Sequence, residues 1–392
     1  MSQWPLAELS KVADVSSGDS APQEASAFGE SGTPFIRAGS LAQLLDGVPE
    51  SQLELIPEAE STKRKMRTYP AHTIVFAKSG MSCTRGLVYE LEGPAHVVNH
   101  LAALECCSDL DPRFLLRWFQ KNSPARLIAN PSYPSIRLSD IRSERIPRPP
   151  LAEQRRIVGI LDAADALRAK RRESLAQLEI LLQSTFLDIF GDPVTNPMGW
   201  RQVSFQKIGD FVSGATPSKA RSEFWDGEIP WVSPKDMKVT RIQDSSDHIT
   251  EQAVEETSIK LLSPGHLLIV VRGMILAHSF PVAINDVPVA INQDMKGISP
   301  SDLYDKWFLL ECARQLKRQI ISEVSTAGHG TKRLDAEAMK KIRFPSPPLD
   351  LQHRFATIVE SVEQQKATQR AHLAELDDLF ASLQSRAFRG DL

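Results

Sequence analysis

The chain writes one element twice. Pro147-Arg148-Pro149-Pro150-Leu151-Ala152-Glu153-Gln154 opens a long apolar-periodic stretch that closes at Phe190-Gly191-Asp192. Pro345-Ser346-Pro347-Pro348-Leu349-Asp350-Leu351-Gln352 opens a second, closing at Phe388-Arg389-Gly390-Asp391. In both, prolines precede the first turn, where a missing N–H costs nothing, and glycine follows the last as a stop signal. Each stretch predicts a helix of about forty residues, roughly 58 Å long at about 1.5 Å per residue.

The apolar positions step by alternating four and three. The first copy reads Ile157, Leu161, Ala164, Arg168, Arg171, Leu175, Leu178, Leu182, Thr185 and Ile189; the second reads Phe355, Val359, Val362, Lys366, Gln369, Leu373, Leu376, Phe380, Leu383 and Ala387. This is the seam of a coiled coil. Its middle is polar in both copies, at Arg168/Arg171 and Lys366/Gln369. The plain reading is a solvated gap, because long basic side chains snorkel to water; the sharper one is register fixing or a partner contact.

The repeat reaches beyond the helices. Trp4 followed by Val12-Ala13-Asp14-Val15-Ser16-Ser17-Gly18 is answered by Trp200 followed by Ile208-Gly209-Asp210-Phe211-Val212-Ser213-Gly214. Pro34-Phe35-Ile36-Arg37 is answered by Pro230-Trp231-Val232-Ser233, and Asn99 by Asn292. The β-rich runs His72–Lys78 and His266–Arg272 match when Lys78 is set against Arg272. Four pieces follow: a globular domain over 1–146, a long helix over 147–192, a second domain over 193–344 and a second long helix over 345–392. Each domain is mixed α/β (α+β), with short strands at Leu87–Leu91, His96–Asn99, Phe280–Asn285 and Val287–Asn292 and helices at Pro112–Lys121 and Ser301–Arg318. The equivalence of the two helices predicts an antiparallel pair about a pseudo-two-fold, Leu161 near Phe380 and Leu182 near Val359, with pairing between chains as the alternative. The last helix then returns to the first domain.

At 392 residues each domain has room for a core. No apolar run is long enough for a membrane span. Four cysteines without metal spacing predict a reducing cytoplasm. A net charge of −3 argues against wholesale nucleic-acid binding, but the charges are clustered. Lys63-Arg64-Lys65-Met66-Arg67 and Lys340-Lys341-Ile342-Arg343 are basic; Glu50–Glu60 and Asp244–Glu256 are acidic.

No motif supports catalysis by this chain. Asn130-Pro131-Ser132-Tyr133 approaches the Asn-Pro-Pro-Tyr motif of adenine-amino methyltransferases, but its third residue is Ser and no glycine-rich cofactor loop stands upstream; a turn accounts for it better. Asp294-Met295-Lys296 and Glu337-Ala338-Met339-Lys340 lack the earlier strand Asp of a Mg²⁺ site. His96 and His100 lie on a strand, so a shared metal is not expected. For DNA contact the candidates are Lys63, Arg64, Lys65 and Arg67 in the basic run (a solvated loop being the plain alternative), Lys78 and Arg272 ending matching strands, and Lys235 in the divergent stretch. Arg137 and Lys332/Arg333 fall in matching loops, with Tyr133 and His329 beside them as residues able to approach bases.

Two divergent domains alternating with two matching helices, each entered by PxPPLxxQ, resemble the specificity (S) subunit of type I restriction-modification systems. Pro149-Pro150-Leu151-Ala152-Glu153-Gln154 and Pro347-Pro348-Leu349 with Gln352 carry the resemblance, and the second entry departs from it at Asp350-Leu351 and His353. It implies a non-catalytic chain whose domains each read half of a bipartite double-stranded DNA target. The helices then form a ruler for the spacer between half-sites. It further implies two methyltransferase (M) subunits docked on the helices and restriction/translocase (R) subunits beyond them. Cofactors are expected on those partners alone: S-adenosylmethionine, Mg and ATP. Competing readings are the recognition subunit of a type IIG/IIB-like restriction–methylation enzyme, or a coiled-coil adaptor without DNA specificity.

Overall fold

The computed structural model describes residues 4–326 and 330–392. The chain divides into two compact units, Met1–Arg172 with His372–Leu392, and Glu173–Ala371. The four successive pieces expected from the sequence therefore regroup. Each unit takes one globular domain, the start of one long helix and the end of the other. The helices themselves span Leu151–Phe190 and Leu349–Arg389. Pro147 and Pro345, expected at the helix entries, instead lie in short strands, Arg145–Pro147 and Arg343–Ser346.

In the first unit an antiparallel sheet runs in the order Ala13–Ser17, Leu101–Cys106, Ile74–Ala77, Val88–Glu90. Beside it Thr33–Ile36 pairs with Leu55–Ile56 and, in parallel, with His96–Val97. Leu6–Glu8 pairs with Arg145–Pro147, just before the long helix. The second unit repeats this frame. Its sheet runs Gly209–Ser213, Met295–Pro300, Leu267–Val270, Val282–Asn285, with Arg241–Ile242 added at the edge. Trp225–Val232 pairs with His248–Ile249 and, in parallel, with Ala290–Ile291; Arg201–Ser204 pairs with Arg343–Ser346.

Among the sheet strands that the sequence reading did not name are Leu101–Cys106 and Met295–Pro300, each paired on both sides. The first contains Ala102 and Ala103 and the second Gly297 and Pro300, residue types poor in strand propensity. Burial from neighbouring elements stabilises them instead. The helix expected over Ser301–Arg318 is two, Lys306–Gln315 and Lys317–Ser322, and its cap is Asp305, whose carboxylate accepts from the Trp307 N–H at 2.7 Å.

The shared entry motif has a physical cause. Gln154 is fully buried; its amide oxygen accepts from the Asp111 N–H (2.8 Å), and its NH₂ donates to the carbonyls of Asp109 (2.9 Å) and Pro149 (2.9 Å). Gln352 does the same with Asp305 (2.9 Å), Leu303 (3.0 Å) and Pro347 (2.8 Å). Asp111 and Asp305 cap the domain helices Pro112–Lys121 and Lys306–Gln315. One carboxamide thus joins the start of a long helix to the start of a domain helix, satisfying groups that are costly to bury unpaired.

The other end of each unit repeats too. The Trp4 indole N–H donates to the Ala387 carbonyl at 3.0 Å, so the last helix does return to the first domain, and the Trp200 indole donates to Phe190 at 2.9 Å. Phe388 packs on Phe114 and Trp118, and Phe190 on Phe308 and Phe355. Leu161 and Phe380 share the buried core of the first unit, and Leu182 and Val359 that of the second, within one chain. Ile157 and Phe355 are fully buried seam positions, whereas Leu175, Leu178, Leu373 and Leu376 are half-buried.

The solvated gap expected at the polar middle is not what forms. Lys366 is 2% exposed and bonds Glu363 (2.7 Å) and Glu179, while Arg314 from the domain reaches Glu179 and Glu311 (3.1 Å). In the first unit Arg168 pairs with Asp377 (2.6 Å) and Asp165 (2.8 Å), and Arg117 with Asp165 (2.9 Å) and Asp162 (2.7 Å). Arg168 also lies 4.3 Å over the Phe380 ring. With acids facing them from the opposite helix and domain cations behind, the basic side chains stay inside. Burial pushes the Glu179 carboxyl up, but hydrogen bonds from Lys366 and Arg314 outweigh it and hold it below the usual range. Burial dominates at Glu311, which is raised.

Candidate functional site

The two units carry a loop crossing at the same place, where the strand Ile74–Ala77 or Leu267–Val270 ends and a late loop bridges to it, and in the second unit this crossing borders a cleft. The ladder fixes the correspondence. Val15 and Ile74 both face Leu104, as Phe211 and Leu267 both face Ile298. Two left-handed residues agree: His72 (φ 68°) and Gly265 (φ 96°) occupy one turn, Gly80 (φ 76°) and Gly273 (φ 132°) another. Lys78 therefore corresponds to Val271, and Ser79 to Arg272. The expected cation at one shared spot is corrected, since matching the two histidines put the sequences one residue out.

In the second unit Arg272 lies opposite Arg333 in an isolated antiparallel bridge, and the Gly273 N–H donates to the Lys332 carbonyl at 3.0 Å. Ser213, Arg272, Gln293, Lys296, Arg333 and Asp335 line the cleft. Lys296 donates to the Ser213 hydroxyl at 2.8 Å, and the Thr216 hydroxyl donates to the Gln293 amide oxygen. Asp294 stands 3.8 Å from Arg272, and Asp335 is occupied capping the helix Ala336–Lys341. Met274, two residues after Arg272, is 63% exposed.

The first unit places Ser79 opposite Ser135 in the equivalent bridge, with the Gly80 N–H donating to the Pro134 carbonyl at 3.0 Å. Ser79 shares a 2.7 Å hydrogen bond with His100 Nδ1. Tyr133 is 81% exposed, on a turn in which the Asn130 carboxamide accepts from the Ser132 N–H at 3.0 Å. The Asn-Pro-Ser-Tyr stretch is thus a turn, with its Asn side chain occupied. Arg137 is the N-cap position of the helix Leu138–Arg142 and matches Asp335, not the arginine of the other loop.

Both frames contain a close backbone approach at a glycine. A Cβ on Gly18 would sit 1.8 Å from the Val97 carbonyl oxygen, and one on Gly214 would sit 2.1 Å from that of Asn292. No other side chain allows the chain to pass so close.

The basic run is largely engaged within its domain. Arg64 pairs with Glu24 (2.8 Å) and Glu60 (2.6 Å), and its hydrogen bond holds the Glu60 carboxyl below the ordinary range. Arg67 pairs with Asp14 (3.2 Å) and Glu105 and stacks over Tyr69. Lys63 leans on Glu60 at 3.5 Å, Lys65 is exposed with φ 53°, and Lys235 pairs with Asp247 at 2.8 Å. Lys332 donates to the Thr326 hydroxyl at 2.9 Å. His329 lies outside the described residues. The structure thus gathers Arg272, Lys332 and Arg333 in one place and Lys78, Tyr133 and Arg137 in its counterpart. Gln293 was missed, because a lone amide gives no local signal, and Lys296 was named only within a rejected metal-site motif.

Among the described residues no helix is long and apolar enough to cross a membrane. The family model described as the type I restriction modification DNA specificity domain matches twice, over residues 1–179 and 197–377. The EcoR124I/EcoR124II type I restriction enzyme specificity subunit of Escherichia coli is 31% identical over 222 residues, covering 55% of this chain and 53% of that protein. The MjaIX specificity subunit of Methanocaldococcus jannaschii is 28% identical over 167 residues, 42% of this chain and 38% of that one. The match therefore spans about half or less of these relatives' length. The type I S subunit from M. genitalium shares the fold at TM-score 0.58 and 16% identity, over 98% of this chain and 96% of that one. A chain solved in work on complex assembly and conformational transition of the type I R-M system gives TM-score 0.57 at 19% identity, over 99% and 98%.

Proposed function

The chain belongs to the type I restriction-modification DNA specificity family, and from that premise we propose that each of its two domains reads one half of a bipartite duplex target. The observation that carries this is a repeated frame with unlike loop crossings. Sheet order, buried glutamine, capping tryptophan and glycine recur, while Ser79/Ser135 in one crossing is Arg272/Arg333 in the other. A scaffold held constant around changed side chains suits two different sequences read in one way.

The long helices set the spacing between half-sites and dock two M subunits, with R subunits joining that assembly. The chain itself is non-catalytic and works in the cytoplasm, where its four free cysteines stay reduced. S-adenosylmethionine, Mg and ATP belong to the partners. Lys63, Lys65, Lys78, Arg137 and Lys332 supply phosphate contacts, and Tyr133 stacks on or abuts a base of the first half-site. Exchanging residues 193–344 for those of another family member, with partner genes in place, tests the reading by methylome sequencing. One half of the methylated motif changes and the other stays; change in both halves, or in neither, contradicts it.

A further inference from the structure

The second unit's cleft holds like charges face to face, with Arg272 in a long ion pair to Asp294. Arg272 and Arg333 sit opposite each other in an antiparallel bridge, an arrangement that destabilises a strand pair when left alone. At 3.8 Å the Arg272–Asp294 pair is too long to be a hydrogen bond and leaves the Arg272 N–H groups able to donate elsewhere, while Asp335 accepts from the Ala338 N–H at 2.9 Å. With its oxygen accepting from Thr216, Gln293 keeps its NH₂ group to donate elsewhere. Lys296 and Ser213 close the floor. The cleft therefore presents several donors and calls for a group rich in acceptors.

Resting on the reading of the chain as a half-site reader, we propose that this cleft is a base-reading site that takes the major-groove edge of a guanine in the second half-site, with Arg272 as its specificity-determining residue. Guanine offers two adjacent acceptors there, N7 and O6, which a guanidinium fork meets with two parallel hydrogen bonds. Gln293 meets the neighbouring base. A phosphate would also satisfy the donors, so the test separates the two. The equivalent bridge in the first unit is Ser79/Ser135, with no cation. No guanine is read by an arginine at that place in the first half-site.

The experiment uses the full chain with its partner genes in the source cell, comparing the methylated motifs of wild type, Arg272→Lys and Gln293→Ala by long-read sequencing. Arg272→Lys keeps the charge and loses the fork. The expected result is relaxation of one guanine position in one half of the motif, about tenfold or more in preference, with the other half unchanged. The purified complex then binds duplexes with 7-deazaguanine at that position more weakly. Equal loss at every site with the motif intact, or indifference to 7-deazaguanine, assigns the cleft to phosphate and overturns the proposal. An unchanged motif in Arg272→Lys overturns it as well. If deleting the gene leaves methylation as it was, the half-site reading itself fails, an outcome distinct from these.

Discussion

The first unit and the second are alike where a polar group must be buried and unlike where it meets water. Gln154 and Gln352 repeat three hydrogen bonds partner for partner, and Trp4 and Trp200 each cap the end of a long helix. At the loop crossings two serines stand in one unit where two arginines stand in the other. Leaving any one of those buried groups unmade costs about 1–3 kcal/mol, so the frame tolerates little change. An exposed side chain at a crossing carries no such cost, so its chemistry is free to differ. The helix clasps lie between these extremes. Lys366 with Glu179 and Arg168 with Asp377 keep the sign of each charge while residue type and burial change.

The clasps give the largest expected effect and the strongest way to break the comparison. Lys366→Met leaves Glu363 and Glu179 without their buried cation and should destabilise the second unit by about 3–5 kcal/mol. Arg168, whose side chain is 17% exposed, should cost the first unit less as Arg168→Met, about 1.5–3 kcal/mol. Denaturant unfolding with hydrogen exchange near Val359 and Phe380 reads both; equal losses would show that burial does not separate the clasps.

Next in size, Gln154→Ala and Gln352→Ala should each cost about 2–3 kcal/mol. The two losses should agree and add in the double variant, because the residues share no partner. Unequal losses would mean the motif is structural in one copy only.

The smallest effect is on acid stability. The folded Glu179 carboxyl lies below its ordinary 4.5, so its contribution is present above that pH and lost as the pH falls through the folded value. Glu311 works the other way: raised in the fold, it favours the folded state at low pH and loses that contribution as the pH rises. Glu179→Gln should therefore flatten the acid limb of the second unit's stability curve, measured by unfolding between pH 5 and pH 3. An unchanged limb would place the acid sensitivity elsewhere.

What the sequence made legible was periodic or repeated. The apolar runs gave Ile74–Ala77 and Leu267–Val270, and Pro112–Lys121 emerged with the bounds expected. Leu101–Cys106 and Met295–Pro300 stayed hidden because their strand state is imposed by neighbours on both sides. The matching of Lys78 with Arg272 failed by one residue, since two histidines suggested an equivalence that the backbone assigns to His72 and Gly265. The clasps were hidden for a different reason. Arg117 and Arg314 lie far along the chain from the seam, and no local pattern announces that a domain residue will neutralise a helix pair. Of the cleft, the cations were visible and the amide was not.

Phe388 packs against Phe114 and Trp118 at ring-centroid distances of 5.4 Å and 5.2 Å, and Trp4 bonds Ala387. During synthesis the first domain therefore leaves the ribosome long before the segment that finishes its interior, while the second unit, Glu173–Ala371, is one uninterrupted stretch. The part made first is completed last, and for most of translation its aromatic wall around Phe114 stands open to chaperones.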